Sequence, residues 1–254
     1  MALRIAFDLD GVLADMESEL VRQAETLFGE AIARPVEARA PDAAAASEPG
    51  TDPSTSEEQR QAVAETAAEN VPPLLKVKMT PRQQRRLWKH VESIENFWCT
   101  LDELEPGIIG RLASIAAERR WEIIFLTKRP QSAGATAQVQ SQRWLQSKGF
   151  PLPSVFVVQG SRGRIAHALG LDIVVDDRPE NCLDVVVDSK ARAILVWRDD
   201  EKNLPAAARR LGIGVVKTVD ECLEVLVQID TPAEQPGVID RVKRLLGLKE
   251  PASA

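Results

Sequence analysis

Six short runs of apolar and β-branched residues recur along the chain, separated by segments with a helical period. Several runs, such as IIFL and VFVV, are almost continuously hydrophobic, as expected for parallel strands covered on both faces. Strands that alternate with helices are typical of an α/β protein with a Rossmann-like, doubly wound parallel sheet. The predicted strands are 3–9, 122–126, 154–158, 172–175, 193–196 and 214–216, and predicted core helices include 108–120, 139–148 and 163–169.

More than a hundred residues separate the first predicted strand from the second, far more than a crossover needs. Two amphipathic segments in this interval, 16–28 and 80–94, predict helices, the second with Thr80 as N-cap and Pro81 at its first position. We therefore expect a small helical cap inserted after the first strand. The predicted domains are a core of 1–14 and 104–230, a cap of 15–103, and a C-terminal helix and tail of 231–254.

The segment 34–72 within the cap differs in composition from the rest of the chain. It has eight acidic and three basic residues, five prolines and ten alanines, but no aromatic residue, Leu, Ile or Met. Such a segment buries too little apolar area to fold, so we expect disorder, apart from a short helix that the capping-box pattern at Ser56 predicts up to Asn70.

Near the C-terminus, 238–246 has one apolar helical face, which suits packing on its own domain or docking on a partner or membrane surface.

Charge and composition exclude several classes of protein. Of the net charge of −6, five charges belong to the acidic segment, so the remainder is nearly neutral, unlike a protein that coats nucleic acid. No apolar run approaches the roughly 18 residues that span a membrane. The three cysteines form no Cys-x-x-Cys pair and there are only two histidines, which argues against a disulfide framework or a zinc site. The start has no basic leader, so we expect a cytoplasmic protein.

The first candidate catalytic motif is FDLDG, in which Asp8 and Asp10 follow an apolar strand and precede Gly11. The i, i+2 spacing brings both carboxylates to one side of an extended chain. One carboxylate can attack phosphorus as a nucleophile, and the other can act as general acid and base. Two acids beside a phosphate need a hard cation such as Mg²⁺. The alternative interpretation is that both aspartates cap a turn.

Two further apolar strands also end in polar groups. Thr127 follows IIFL, and its hydroxyl with nearby backbone amides can bind a phosphate oxygen; alternatively it is an N-cap, with Lys128 and Arg129 in a solvated turn. Asp176 and Asp177 follow IVV and can complete the ligands of a cation. Their alternative role is an internal ion pair with the next residue, an arginine. Because ligands bind at the carboxyl ends of parallel strands, the three motifs together predict one site.

These motifs resemble those of the haloacid dehalogenase superfamily of phosphohydrolases, as FDLDGVLAD, FLTKRP, a basic residue in SRGR, and VVDDRPEN. The resemblance implies Asp8 as nucleophile, Asp10 as general acid and base, and Thr127 as phosphate ligand. It also implies Mg²⁺ held by Asp8, the backbone carbonyl of Asp10 and Asp176, with Asp177 in support. The family's basic residue is usually lysine; here Arg164 is our choice, with Arg162 and Lys128 as alternatives.

A finer resemblance points to the 5′(3′)-deoxyribonucleotidase branch, through DGVLAD, an FW segment, a Pro-Gly step and DDRP. In that branch the cap contacts the nucleoside, so Phe97 and Trp98 are candidates for base stacking. Their alternative role, which we favour, is an aromatic anchor between cap and core.

The sequence therefore predicts a Mg²⁺-dependent phosphomonoester hydrolase that forms an aspartyl-phosphate and acts on a small phosphorylated metabolite, foremost a nucleoside monophosphate. A sugar phosphate or another small metabolite is the alternative substrate, and a non-catalytic binding protein of the same fold is the alternative function. A response-regulator receiver domain is set aside, because it would carry its phosphoaccepting aspartate after a middle strand.

Overall fold

A six-stranded parallel sheet with the order β3-β2-β1-β4-β5-β6 is the centre of the structure, a computed structural model that describes residues 2–29 and 79–231. The sheet confirms the predicted α/β, Rossmann-like fold. Each strand lies within one residue of its predicted bounds at either end. The strands are β1 (Arg4–Asp8), β2 (Glu122–Thr127), β3 (Ser154–Val157), β4 (Ile173–Asp176), β5 (Arg192–Val196) and β6 (Gly214–Val216).

Helices alternate with the strands after β2, and helices also occur among the described residues between β1 and β2. The predicted helices that fall within the described residues are present, with bounds within two residues of those expected. The helices are α1 (Met16–Phe28), α2 (Pro81–Ser93), α3 (Ile108–Arg119), α4 (Ala137–Ser147), α5 (Arg162–Leu169), α6 (Pro179–Asp188), α7 (Ala206–Arg210) and α8 (Val219–Asp230), with 3₁₀ turns at Phe97–Cys99 and Glu201–Asn203. Within the described residues, no helix is long and apolar enough to cross a membrane.

The strand order reverses direction at β1. From β1 the chain goes to β2 and β3 on one side, and then returns to place β4, β5 and β6 on the other. This topological switch point is where open α/β sheets bind their ligands, because the loops diverge there and leave a crevice. A ligand site is therefore expected at the carboxyl ends of β1, β2 and β4.

A buried apolar cluster lies between the sheet and the helices α5 and α6. Ala6, Val174 and Leu195 from three adjacent strands belong to it, together with Val185 of α6. The helices approach so closely that a Cβ atom added at Gly163 would lie 2.1 Å from the backbone oxygen of Asp184. Glycine is thus required where α5 meets α6, and this contact fixes how α5 is rotated.

The chain divides into two compact units, one of residues 1–16 and 94–254 and the other of 17–93. In the second unit α1 and α2 contact each other, with His90 Nε2 3.0 Å from Gln23 Oε1 and the Arg86 guanidinium 5.4 Å from the Phe28 ring centre. The predicted acidic segment 34–72, its short helix and the apolar face of 238–246 lie outside the described residues. The domain bounds given above and the role of 15–103 as a cap stay predictions.

Candidate active site

Three neighbouring strands bring the predicted polar residues to one edge of the sheet. Asp8 pairs in register with Leu126, the residue before Thr127, and Phe7 pairs with Val175, the residue before Asp176. The carboxyl ends of β2, β1 and β4 are therefore side by side, although their motifs are far apart in sequence. Asp8, Thr127 and Asp176 are all buried there.

A tight turn follows Asp8 and returns the chain at once. The amides of Leu13 and Ala14 both donate hydrogen bonds to the carbonyl of Leu9, at 2.9 and 2.7 Å. Gly11 has a φ of +83°, and a Cβ there would lie 2.0 Å from Oδ2 of Asp177. Only glycine combines this backbone conformation with room for the Asp177 carboxylate, so Gly11 allows the ends of β1 and β4 to approach.

A buried arginine, Arg162, lies between two of the acids. Its Nη2 atom donates a hydrogen bond of 2.5 Å to Oδ1 of Asp8, and its Nε atom is 3.7 Å from Oδ2 of Asp176. The side chain is only 2% exposed. Within the described residues, Nε and Nη1 of Arg162 have no hydrogen-bond partner. Unpaired buried donors are costly, so these two N–H groups are available to an anion.

Burial and mutual repulsion raise the pKa values of the acids. Burial raises the pKa of Asp8 well above its ordinary value, Asp176 adds to the rise, Arg162 opposes it and Asp177 adds further. Burial also raises the pKa of Asp176, although Arg162 opposes this rise. Burial and the adjacent Asp176 raise the pKa of Asp177 to about 7. The repulsion between these carboxylates is thus larger than the one arginine can offset. A bound cation would reduce this repulsion.

The Asp176 carboxylate is oriented by the first turn of α6. The Asn181 amide nitrogen donates to both carboxylate oxygens, at 3.0 and 2.9 Å, and the Arg178 backbone N–H donates to Oδ1 at 2.9 Å. Pro179 occupies the start of α6, where its missing N–H costs nothing. The sequence reasoning did not select Asn181, whose position in the first helical turn lets it reach back to the strand end.

Asp10, the second aspartate of the FDLDG motif, is held by another buried arginine. Arg129 donates through Nε to both oxygens of Asp10, at 3.1 and 3.0 Å, and through Nη2 to Oδ1 at 2.7 Å. The Thr127 hydroxyl donates to Asp10 Oδ2 at 3.1 Å. Arg129 is 2% exposed, which corrects the alternative interpretation that it belongs to a solvated turn. Thr127 accordingly lies beside Asp10 and not at an N-cap.

The remaining predicted residues lie apart from this cluster. The Arg164 side chain is 85% exposed and its Nε is 3.9 Å from Oδ2 of Asp188. Lys128 is exposed at the end of β2. Phe97 and Trp98 are both fully buried, with their rings 5.0 Å apart in an edge-to-face arrangement. Rings so enclosed offer no free face for base stacking, and their favoured role as an anchor between cap and core stays a prediction.

Signals for the two arginines were present in the sequence. A residue before proline is held extended, so Arg129, before Pro130, continues the alternation of β2 and lies on the same side as Thr127. Arg162 precedes Ala166 and Leu169 at spacings of four and seven, which places it on the inward face of α5. Arg164 is off that face.

Carboxylate oxygens lie at these strand ends on Asp8, Asp176 and Asp177. Within the part of the chain that the structure describes, no three His, Cys, Asp or Glu side chains form a group that could hold a metal by themselves. An ion such as Mg²⁺, which takes one or two carboxylates and fills its shell with water and phosphate oxygens, does not require such a group.

Comparison with solved structures found similar chains that are hydrolases of the haloacid dehalogenase type or related to them. A HAD family hydrolase from Deinococcus radiodurans R1, with bound phosphate and sodium, is 16% identical, with 91% of this chain and 99% of that chain covered and a TM-score of 0.48. A hydrolase from Pseudomonas syringae is 18% identical, with 89% and 99% covered and a TM-score of 0.47. A phosphonoacetaldehyde hydrolase-like protein from Oleispira antarctica is 16% identical, with 98% and 95% covered and a TM-score of 0.44.

No protein-family model matches the chain, and no curated protein matches it.

Proposed function

We propose that this protein is a Mg²⁺-dependent phosphomonoester hydrolase of the haloacid dehalogenase superfamily, which works through an aspartyl-phosphate. One observation carries the proposal. Asp8, Thr127 and Asp176 meet at three adjacent strand ends, beside a buried Arg162 with two N–H groups that have no partner among the described residues. The switch point of the sheet thus combines a carboxylate that can act as nucleophile, an arginine that can bind an anion, and oxygen ligands for a metal.

The donors present fit Mg²⁺ because they are hard oxygens and because the acids are crowded. Asp8, Asp176 and the Asp10 carbonyl would hold the ion, with Asp177 in support. The Asp10 carboxylate is engaged by Arg129, which supports the carbonyl as the Asp10 ligand. When bound, Mg²⁺ would offset the repulsion between the phosphate and the carboxylate that attacks it.

Asp8 is the nucleophile in this proposal. Arg162 holds its Oδ1 at 2.5 Å, so we assign the attack on phosphorus to Oδ2. As the new oxygen–phosphorus bond forms, the bond to the leaving alcohol breaks, and Asp8 carries the phosphoryl group. Arg162 can direct its two unpartnered N–H groups to the phosphate oxygens, which favours Arg162 over the exposed Arg164 as the basic residue of the site.

Asp10 moves the proton in both half-reactions. In its protonated form it gives the proton to the departing alcohol oxygen, and as a carboxylate it then takes a proton from the water that attacks the aspartyl-phosphate. This second step releases inorganic phosphate and regenerates Asp8. Asp10 lies two residues beyond Asp8 at the end of the same strand, which supports its place next to the reacting group.

The proposed substrate is a nucleoside monophosphate, on the strength of the DGVLAD and DDRP motifs, with residues 15–103 as the cap that selects it. The full burial of Phe97 and Trp98 removes these two rings as candidates for base contact. A sugar phosphate is the second substrate class to be tested, because the site that binds the phosphoryl group is the same for both.

A phosphate-release screen tests the function. Purified protein is offered nucleoside monophosphates and sugar phosphates, with Mg²⁺ and with a chelator in its place. We expect release only with Mg²⁺, and the preferred class identifies the substrate. Asp8→Asn is expected to abolish turnover, because an amide cannot form the aspartyl-phosphate.

The matched control is Asp172→Asn, which changes an exposed carboxylate at the opposite end of the sheet, where Asp172 accepts a hydrogen bond from the Arg4 amide. We expect this variant to keep its turnover. Absence of phosphate release by the wild type from every ester would overturn the proposed function, and full activity of Asp8→Asn would show that the nucleophile is another residue.

A further inference from the structure

The guanidinium of Arg129 binds the Asp10 carboxylate along one edge, with contacts to both oxygens. The shortest distance is 2.7 Å, from Nη2 to Oδ1, and Nε is 3.1 and 3.0 Å from Oδ1 and Oδ2. Thr127, two residues before Arg129 and at the end of β2, donates to Oδ2. Together the two donors fix both the direction of the carboxylate and the rotation of its plane.

Arg129 is itself fixed by residues that have no other part in the site. Its Nη1 atom donates to the Ser141 hydroxyl at 2.9 Å, and that hydroxyl donates to the Ala137 carbonyl at 2.8 Å. The indole rings of Trp98 and Trp144 lie 5.0 and 5.5 Å from the guanidinium carbon. Cation–π contacts are strongest where water is excluded, as it is around this side chain.

The two indoles are also tied to the backbone. Trp98 Nε1 donates to the Pro130 carbonyl at 2.9 Å, and Trp144 Nε1 donates to the Leu101 carbonyl at 2.7 Å. Arg129 is therefore part of a rigid, buried support with its charged end directed at Asp10. Burying an arginine is costly even when it is paired, and an orienting role for its partner is a reason for such a pair to be kept.

We infer that Arg129 is the positioning residue of the proton-transfer step, and that it keeps Asp10 oriented toward the leaving oxygen. The inference rests on the proposed function. In the described part of the chain, the hydrogen bonds, ion pair and cation–π contacts of Arg129 are to Asp10, Ser141 and the two indoles, and none is to Asp8 or Asp176. Loss of Arg129 should therefore impair proton transfer and leave phosphate binding in place.

The role of Arg129 is tested by how the activity of its variants depends on the leaving group of the ester. Three esters of similar shape, p-nitrophenyl, phenyl and benzyl phosphate, differ in how much their leaving oxygen needs a proton. The quantity to measure is kcat/KM, which reports the transfer of the phosphoryl group to Asp8 and excludes the later hydrolysis. For Arg129→Gln we expect a loss of about 100-fold or more with benzyl phosphate and a much smaller loss with p-nitrophenyl phosphate.

Two further measurements distinguish a positioning role of Arg129 from a purely structural role. The inhibition constant of inorganic phosphate should change little in Arg129→Gln, and Arg129→Lys should recover part of the activity toward benzyl phosphate because it restores the charge. The control is Trp121→Phe, which removes a bond of 3.0 Å to Asp230 before β2 begins, remote from the strand ends. It should lower stability without changing the ratio of activities among the esters.

Equal losses with all three esters, or phosphate inhibition weakened in proportion to turnover, would overturn the positioning role and leave the hydrolase function intact. If Arg129→Gln does not fold, Ser141→Ala, which removes only one bond to Arg129, should give a smaller loss with the same dependence on the leaving group. A Ser141→Ala loss that is equal for all esters would also overturn the inference. A wild type that hydrolyses none of the esters or metabolites overturns the proposed function itself, and the inference with it.

Discussion

Arg162 Nη2 and Asp8 Oδ1 lie 2.5 Å apart although 154 positions separate the two residues in sequence. The pair joins the start of α5 to the end of β1, and it is almost completely enclosed, with side-chain exposures of 2% and 11%. The guanidinium of Arg162 therefore faces the carboxylate of Asp8, to which we assign the nucleophilic attack.

Replacement of Arg162 by Met should destabilise the protein and abolish phosphate release. The change leaves Asp8 and Asp176 buried without their shared cation, and removing one partner of a buried ion pair costs about 3–5 kcal/mol. Arg164→Met removes an equal charge two residues away, but from an exposed side chain, and should alter the free energy of unfolding by about 0.5 kcal/mol or less. Urea denaturation and phosphate release compare them, and equal effects would contradict the assignment of Arg162.

Gly11→Ala should lose activity out of proportion to its loss of stability. The new methyl group would occupy the space of the Asp177 carboxylate, and alanine is also strained at a φ of +83°. Gly107→Ala is the matched control, since its φ is +80° and no atom lies within 4 Å of the added Cβ. Both variants should lose about 1 kcal/mol or more of stability from backbone strain, but only Gly11→Ala should also lose turnover. Thermal unfolding and phosphate release measure the two effects, and an active Gly11→Ala would show that Asp177 can move without harm.

Gly163→Ala should force α5 away from α6. Its Cβ would lie 2.1 Å from the Asp184 backbone oxygen, and overpacking of this kind costs about 1–3 kcal/mol. Gly160→Ala, three residues earlier, meets no atom within 4 Å and should leave stability almost unchanged. The midpoint of urea unfolding distinguishes the two variants. Because Arg162 is adjacent to Gly163, the first variant should also lose activity. Similar midpoints would contradict the close packing of the helices.

The three cysteines should differ sharply in reactivity toward a thiol reagent such as dithiobis-nitrobenzoate. Burial raises the pKa of Cys182 well above its ordinary value, and burial likewise raises the pKa of Cys222, so both remain protonated and enclosed. Cys99 is partly exposed. Although burial raises its pKa as well, Cys99 should react first, and faster as the pH rises and the thiolate fraction grows.

Native protein should therefore release one equivalent of chromophore quickly, and unfolded protein three. Cys99→Ser should lack the fast phase. Rapid labelling of two or three thiols in the native state would contradict the burial of Cys182 and Cys222.

The sequence by itself determined the α/β fold and the edge of the sheet where the acids meet. Short, continuous apolar runs rich in β-branched residues that alternate with helical segments favour buried parallel strands, and polar groups at the carboxyl ends of such strands share one edge of the sheet. Asp8, Asp10, Thr127 and Asp176 could be located in this way, because the first, third and fourth end a strand and Asp10 lies two residues beyond one.

Only the tertiary structure decided which arginine serves which acid. Arg162 and Arg164 are two residues apart, and the rotation of α5, fixed where Gly163 meets α6, turns the first inward and leaves the second exposed. Arg129 and Asp10 are 119 positions apart, and their ion pair depends on two indoles and a serine that enclose the guanidinium. A charged side chain is stable in the interior only when such distant partners surround it. The local sequence can therefore indicate which arginine faces inward, but the acid with which that arginine pairs depends on the assembled fold.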